Sequence, residues 1–459
     1  MITLLPKAQG PLYRQIYEAF LRAIEGGELR TGQKLPSKRT LSAQLSVSLS
    51  TVETAYAQLV SEGYVRSVPK SGLYVCALEE LVHVAPQAAP REAPSTPRQQ
   101  VQIDFSTGGV DAQAFPYNVW RRLLKQCFDE CDPSLLTAAP AKGDEGLRHA
   151  VCHYLRQARG VQCAAEQVVI GAGTDHLLSV LGGLLPKDCR VAVENPVYNR
   201  VLRVFRQAGR AVEAVDIDEE GIALAPLYQK GVGAAYITPS HQFPIGISMP
   251  IGRRIRLLNW AQERDAYLIE DDYDSEFRYH VRPIPSLQSI DKGERVVYLG
   301  TFSKSIAPAL RISYMVLPQP LLAVYEARYA GFHSAVSRFE QKVLCAFMEQ
   351  GHFERHLNRM RKRYGDKRTL LAQALRAHGV RVLGENAGHH VRAFVSDAWE
   401  EEALCRAALS HGVRVYPISP YFVHGVPAAY AHQVMLGYGA LSAEQIERGV
   451  LLLSQAWGR

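Results

Sequence analysis

A single lysine stands between two serines in "YLGTFSKSIAPALRISYMV", residues 298–316. Lys304 follows "RVVYLG", an apolar run that reads as a buried strand, so its amine belongs to a loop at that strand's C-terminal end. In open α/β sheets this is where ligands gather. A lysine amine against an apolar wall loses hydration, its pKa falls, and it becomes a nucleophile towards an aldehyde. Thr301 and Ser303 before it and Arg311 after it offer two hydroxyls and a guanidinium. Those groups suit a phosphate, which Arg311 can grip with two parallel bonds. Pyridoxal phosphate (PLP) is an aldehyde that carries such a phosphate.

Two further constellations point the same way. In "AYLIEDDYDSEFRY" an apolar strand from Ala266 to Ile269 runs into Glu270-Asp271-Asp272-Tyr273. A carboxylate at a strand end can pair with a pyridinium nitrogen and keep the ring protonated as an electron sink. Asp271 is the candidate, and Tyr273, two residues on, points the same way and can donate to the ring's phenolic oxygen. In "QVVIGAGTDHLLSVLGGLL" a strand, a glycine turn and a helix follow in order. Gly171, Gly173 and Thr174 bring backbone N–H groups to a helix N-terminus, a phosphate site. Leu177 stands where a dinucleotide fingerprint needs a third glycine.

These elements need a large α/β body, and the chain has the means to build one. It has 459 residues, 47% of them hydrophobic and 21% charged, with a net charge of +7. That length suits two or three domains. Eight cysteines with no CxxC pair read as free thiols of a reducing compartment, and no metal is expected. The N-terminus lacks the pattern of a signal peptide, and no apolar run approaches the ~18 residues that span a bilayer. A cytoplasmic protein without membrane contact is expected. "LVHVAPQAAPREAPSTPRQQ", residues 81–100, is rich in Pro, Ala and Gln and reads as a linker. The expected divisions are a head over 1–78, a flexible linker over 79–100 and a body over 101–459. Fully extended at ~3.1 Å per residue, the linker would span about 60–70 Å.

The head opens with Leu12, Ile16, Phe20 and Ile24 at helical spacing, and Gly26-Gly27 should end that helix. Ser37 is the expected N-cap of a helix that ends near Leu45. After a short turn, Ser48 or Ser50 caps a second helix that buries Val52, Ala55, Tyr56 and Leu59. "YVRSVPKSGLYV" then reads as a hairpin, or wing, around Lys70-Ser71-Gly72. Two short helices across such a turn fit a helix-turn-helix. Ser48, Ser50, Thr51 and Glu53 open the second helix, Lys38 and Arg39 lie on the preceding one, and Lys70 and Gly72 lie on the wing. Over residues 1–78, nine basic side chains face five acidic ones. DNA binding and a protein-interaction module with a solvated basic face both fit this spacing.

The motifs, taken together, also resemble known families. "LRTGQKLPSKRTLSAQLSVSLSTVETAYAQLVSEGYVRSVPKSGLYV" resembles the winged helix-turn-helix of GntR-type transcription regulators, with a match from about Pro11 to Val75. From about Asp104 onward the chain resembles a fold-type I aminotransferase. "ITPSHQFPIG", "EDDYDSEFRY" and "YLGTFSKSIAPALRISYMVLP" behind such a head resemble the MocR/GabR group of regulators. The resemblance implies a mainly α winged helix-turn-helix joined to an α/β PLP-dependent transferase fold of type I. That fold has a mostly parallel seven-stranded sheet and a smaller C-terminal α/β subdomain. It implies PLP as a Schiff base on Lys304, Asp271 on the pyridine nitrogen and Tyr273 on the ring oxygen. Thr301, Ser303, Arg311, Gly173 and Thr174 would hold the phosphate. In "ENPVYNRV", Tyr198 would stack on the ring and Arg200 would lie near the effector. His241 would lie in the loop that faces the ring.

Two departures from the aminotransferase pattern bear on function. Phe243 stands in "HQFPIG" where those enzymes carry the asparagine that bonds the ring oxygen, a change the regulator group shares. In "HQVMLGYGALSAEQIERG", Met435 stands where an arginine commonly clamps the substrate carboxylate; Arg200, Arg392 and Arg414 are the candidates to replace it. "LLTAAPAKGDEGLR" also lacks the tyrosine that reaches a neighbour's phosphate in dimers. The expected function is a regulator, a homodimer on double-stranded promoter DNA, that senses PLP or an amino compound joined to it. The alternatives are a vitamin B6 sensor that controls PLP synthesis and a working aminotransferase with an accessory DNA-binding head. Transamination is expected to be weak or absent, with Lys304 as the catalytic residue if it occurs.

Overall fold

The computed structural model describes residues 10–77, 101–229, 231–279 and 285–459. The expected linker, 79–100, lies outside them. The described chain falls into two compact units.

In the first unit, Ile16, Phe20 and Ile24 recur one turn apart along Leu12–Glu25 and are buried, and the helix stops at Gly26. Ser37 caps Lys38–Leu45 by accepting from the Thr40 N–H at 3.1 Å. Ser46 then turns the chain in the left-handed region at φ 53°. Of the two serines expected as the next cap, Ser48 does it, accepting from the Thr51 N–H at 3.2 Å at the start of Leu49–Ser61. Val52, Ala55, Tyr56 and Leu59 of that helix complete the core. Val65–Val68 and Gly72–Val75 pair antiparallel as the wing.

The second unit is built on one sheet. Its order is Val168–Gly171, Ser313–Val316, Val296–Thr301, Tyr267–Asp272, Val232–Ile237, Arg190–Asn195, Val212–Asp218 and Gly221–Ile222. All run parallel except Ser313–Val316 and Gly221–Ile222. The strand count is therefore eight, where seven are expected. The addition is the two-residue strand at the edge, too short to leave a periodic trace in the sequence. The strands are apolar on both faces because helices cover both. Ile269 and Leu299 pack with Leu177, Leu181 and Phe205 on one side. Leu268 and Val296 pack with Leu257 and Trp260 on the other. The smaller C-terminal α/β subdomain follows the helix His352–Ala377. Its antiparallel sheet runs Arg381–Leu383, His390–Phe394, Gln433–Gly437 and Tyr416–Pro417. No helix among the described residues is long and apolar enough to cross a membrane. All eight cysteines are free.

Candidate functional site

The C-terminal ends of the central strands open onto a cavity of about 250 Å³. Val296–Thr301 delivers Lys304 to it through a short turn. The Lys304 Nζ donates to the Thr107 carbonyl at 2.5 Å. Burial lowers its pKa, and the negative charge of Asp274 opposes that shift.

Tyr267–Asp272 brings carboxylates to both of its faces, because successive side chains alternate. Asp271 lines the cavity. One of its oxygens accepts from the Tyr236 hydroxyl, and the other is buried with no hydrogen-bond partner among the described residues. Burial raises its pKa to about 7, with help from Asp272 and Asp274, against the Tyr236 bond. Asp272 points the other way and accepts from Arg159 at 2.7 Å, Ser275 at 2.8 Å and Tyr298 at 2.5 Å. Burial pushes its pKa up, but Arg159 and these donors hold it below the usual aspartate value. Glu270, Asp271 and Asp272 thus form the last part of the strand, braced behind and open in front.

Tyr273 also lines the cavity, and its hydroxyl donates to the His241 carbonyl at 3.0 Å. His241 itself lies behind Tyr273, off the cavity wall, where its Nδ1 bonds Asp274 at 2.9 Å. His241 is thus not among the residues that line the cavity, and a Cβ at Gly388 would stand 2.4 Å from its imidazole.

The glycine turn forms as expected. Gly173 has φ 95° and precedes Thr174–Leu184. A Cβ there would stand 2.4 Å from the Arg311 guanidinium, so only glycine fits. Arg311 donates to the Ala172 carbonyl at 3.2 Å. Thr174, Thr301, Ser303 and Arg311 all line the cavity, while Gly171 and Gly173 shape the turn behind them. Thr301 Oγ1 bonds the Ser303 hydroxyl at 3.0 Å and accepts its N–H at 3.1 Å. Tyr198 lies over the cavity with Phe243 edge-on at 5.8 Å, and Arg200 sits 5.7 Å over the Tyr198 ring. Arg200 also pairs with Asp175 at 3.3 Å.

Met435 is fully buried against Ile245 and Ile418. Of the three arginines that could replace it as a clamp, only Arg200 lines the cavity. Arg392, its partner across the sheet, donates to Gln433 at 2.5 Å, and burial lowers its pKa to about 10. Arg414 is exposed, 3.6 Å from Asp104.

Sequence reading missed Thr107, Glu194, Tyr236, Asp274, His389 and His390, which also line the cavity. Glu194 precedes the "NPVY" segment, and burial raises its pKa to about 7. Its position at the end of Arg190–Asn195, beside Val232–Ile237, whose end also reaches the cavity, was the available signal. Thr107, His389 and His390 arrive from remote parts of the chain and left none.

In the first unit, Arg39 is exposed. Lys38 pairs with Glu53 at 3.1 Å. The Ser48 hydroxyl bonds those of Ser50 and Thr51 at 2.9 and 2.7 Å, so its first task is to cap the helix. Lys70 and Gly72 both have positive φ in the wing turn, and Lys34 lies across Gly72.

Comparison with known proteins matches residues 12–75 to the bacterial regulatory proteins of the gntR family. Residues 101–448 match aminotransferase class I and II. The chain is 40% identical to the HTH-type transcriptional regulator YhdI of Bacillus subtilis, over 98% of this chain and 97% of that one. It is 32% identical to the probable rhizopine catabolism regulatory protein MocR of Rhizobium meliloti, over 100% and 96%. It is also 32% identical to the pyridoxine biosynthesis transcriptional regulator PdxR of Corynebacterium glutamicum, over 82% and 81%. Among solved structures, an archaeal alanine:glyoxylate aminotransferase superposes with a TM-score of 0.69 at 25% identity, covering 78% of this chain and 90% of that one.

Proposed function

We propose, on the premise that this chain belongs to the MocR-related HTH-type transcriptional regulators, a gntR-type head on an aminotransferase class I and II body, that it is a DNA-binding regulator whose body holds PLP. The head would span 1–78, the linker 79–100 and the body 101–459. One observation carries the cofactor reading: the amine of half-buried Lys304 and an unpartnered buried carboxylate oxygen, on Asp271, face the same cavity. The Gly173–Arg311 contact adds a close cradle at a helix N-terminus, suited to a phosphate.

PLP bound there would supply an electron-withdrawing ring. Lys304 would hold its aldehyde carbon, and its depressed pKa favours the neutral amine that attacks. Asp271 would keep the ring nitrogen protonated, and Tyr273 would bond the ring oxygen. Tyr198 would cover the ring face. Thr174, Thr301, Ser303 and Arg311 would hold the phosphate, with Gly173 leaving space. His241 would act through Tyr273. The effector is PLP itself or a small amine or amino acid that joins it, met by Arg200 at the mouth.

In the head, Leu49–Ser61 would enter the major groove, with Ser50 and Thr51 at the base edges. Arg39, Lys38, Lys70 and the turn at Gly72 would contact phosphates. The body is read as a homodimer, since Leu136, Phe128 and Phe332 are large apolar side chains left exposed on it. Ligand shifts the body between states by no more than its difference in affinity for them. The protein would act in the cytoplasm, where its free thiols stay reduced.

The test is borohydride reduction of PLP-loaded protein followed by peptide mass analysis. A pyridoxyl adduct on Lys304, absent in Lys304→Ala, is expected; an unlabelled Lys304 overturns the reading. A second reading, a vitamin B6 sensor that controls PLP supply, is favoured by the relative named for pyridoxine biosynthesis. Operator affinity changed by PLP alone, with no further change from amines, would select it. Rapid release of keto acid from amino acids would instead select a working aminotransferase, which Met435 and Phe243 oppose.

A further inference from the structure

His389 lies on the cavity wall and is 2% exposed. Its ring is clamped by Phe277 and Tyr364, each with its centroid 4.4 Å away. Neither ring nitrogen has a hydrogen-bond partner among the described residues. The neighbouring imidazoles each have at least one nitrogen engaged: His390 with the Pro244 carbonyl at 3.2 Å and His241 with Asp274 at 2.9 Å. The Tyr364 hydroxyl is also engaged, accepting from the Asp111 N–H at 3.1 Å. A buried imidazole with two unmet nitrogens is a site awaiting a ligand atom.

The groups around His389 settle its charge. Lys304, His390, His241 and Lys367 face it, all basic, and with burial they hold its pKa well below the ordinary histidine value. It is therefore a neutral ring with one donor and one acceptor. A hydroxyl, itself donor and acceptor, matches either nitrogen. A carboxylate fits badly beside it: Asp271, Asp274 and Glu194 share the cavity, and of its two arginines Arg200 is paired with Asp175 at 3.3 Å and Arg311 belongs to the phosphate turn. Lys367 offers it no free charge, being paired with Asp111 at 2.7 Å. Met435 removes the cation that would hold it elsewhere.

We propose that His389 is the polar anchor of the effector subsite and that the effector is a hydroxylated primary amine rather than an amino acid. The inference rests on the reading that the effector amine meets PLP held by Lys304. The amine displaces Lys304 from the cofactor, and the hydroxyl bonds the His389 ring.

The test titrates full-length, PLP-loaded protein with 2-aminoethanol, with propylamine and with β-alanine, read by the absorbance of the bound cofactor. 2-Aminoethanol should bind about tenfold more tightly than propylamine, the worth of one neutral hydrogen bond. β-Alanine should bind no better than propylamine. In His389→Leu the 2-aminoethanol advantage should vanish, and in His389→Gln, which keeps a donor and an acceptor, part of it should remain. Both variants are compared at equal cofactor content. Equal binding of the two amines by the unaltered protein, tighter binding of β-alanine, or an advantage that survives in His389→Leu each overturns the proposal. Protein that takes up no PLP at Lys304 refutes instead the reading beneath it.

Discussion

Asp271 is the residue whose chemistry depends most on what shares its cavity. Its pKa in the cofactor-free protein is raised to about 7, from ~3.9 in an unfolded chain. The folded state therefore binds more protons than the unfolded one between those values, and stability falls as pH rises through about 7. Asp271→Asn should flatten that part of the Tm–pH curve while Glu194, Glu270 and Glu276 keep theirs, and it should weaken PLP binding at every pH. Thermal melts from pH 4 to 8, with and without PLP, check both; a curve as steep as the unaltered protein's would remove Asp271 from this role. That Asp271 and Tyr273 share one side was legible because side chains alternate along a strand, and both line the cavity. Asp274, the next in the same motif, was not, because its task appears only once His241 is folded against it. His389 was illegible for a related reason: its clamp comes from Phe277 and Tyr364, distant in sequence.

The strand Tyr267–Asp272 holds its place through its rear face. Arg159, on the helix Glu145–Arg159, bonds Asp272 at 2.7 Å, with both side chains almost wholly buried. Arg159→Met leaves Asp272 charged, buried and without its cation, which should destabilise the fold by about 3–5 kcal/mol in urea unfolding. A loss below ~1 kcal/mol would show that Tyr298 and Ser275 suffice. In the head, Ser48→Ala removes the cap of Leu49–Ser61 and should cost about 1 kcal/mol, with DNA affinity falling alongside. Melts and operator binding measured on the same variant separate this from loss of a direct DNA contact, which would lower affinity alone. Most elements were legible in the sequence: β-branched runs marked the buried strands, and serines with glycines marked the helix ends. Gly221–Ile222 was not, since two residues carry no period. The choice between Ser48 and Ser50 turned on backbone geometry, with both types able to cap.

Head and body are matched by different families, and each answers to its own test. Arg39→Ala should weaken operator binding and lower the slope of log affinity against log salt by about one, as the loss of one phosphate contact does. An unchanged slope would take Arg39 off the interface. PLP uptake by the same variant should equal that of the unaltered protein, because the change lies in the other unit. In composition, a Pro- and Ala-rich stretch separates two apolar patterns, and the described chain falls into two units.

The two-sidedness of Tyr267–Asp272 has a consequence for what a substitution there can do. At the strand's end Asp271 meets whatever enters the cavity, while Glu270 and Asp272 grip the scaffold through Leu287, Gln288 and Arg159. A substitution at the cavity-facing end can therefore change what the cavity admits without loosening the rear grip. A single inserted residue has no such freedom, because it exchanges the two sets at once.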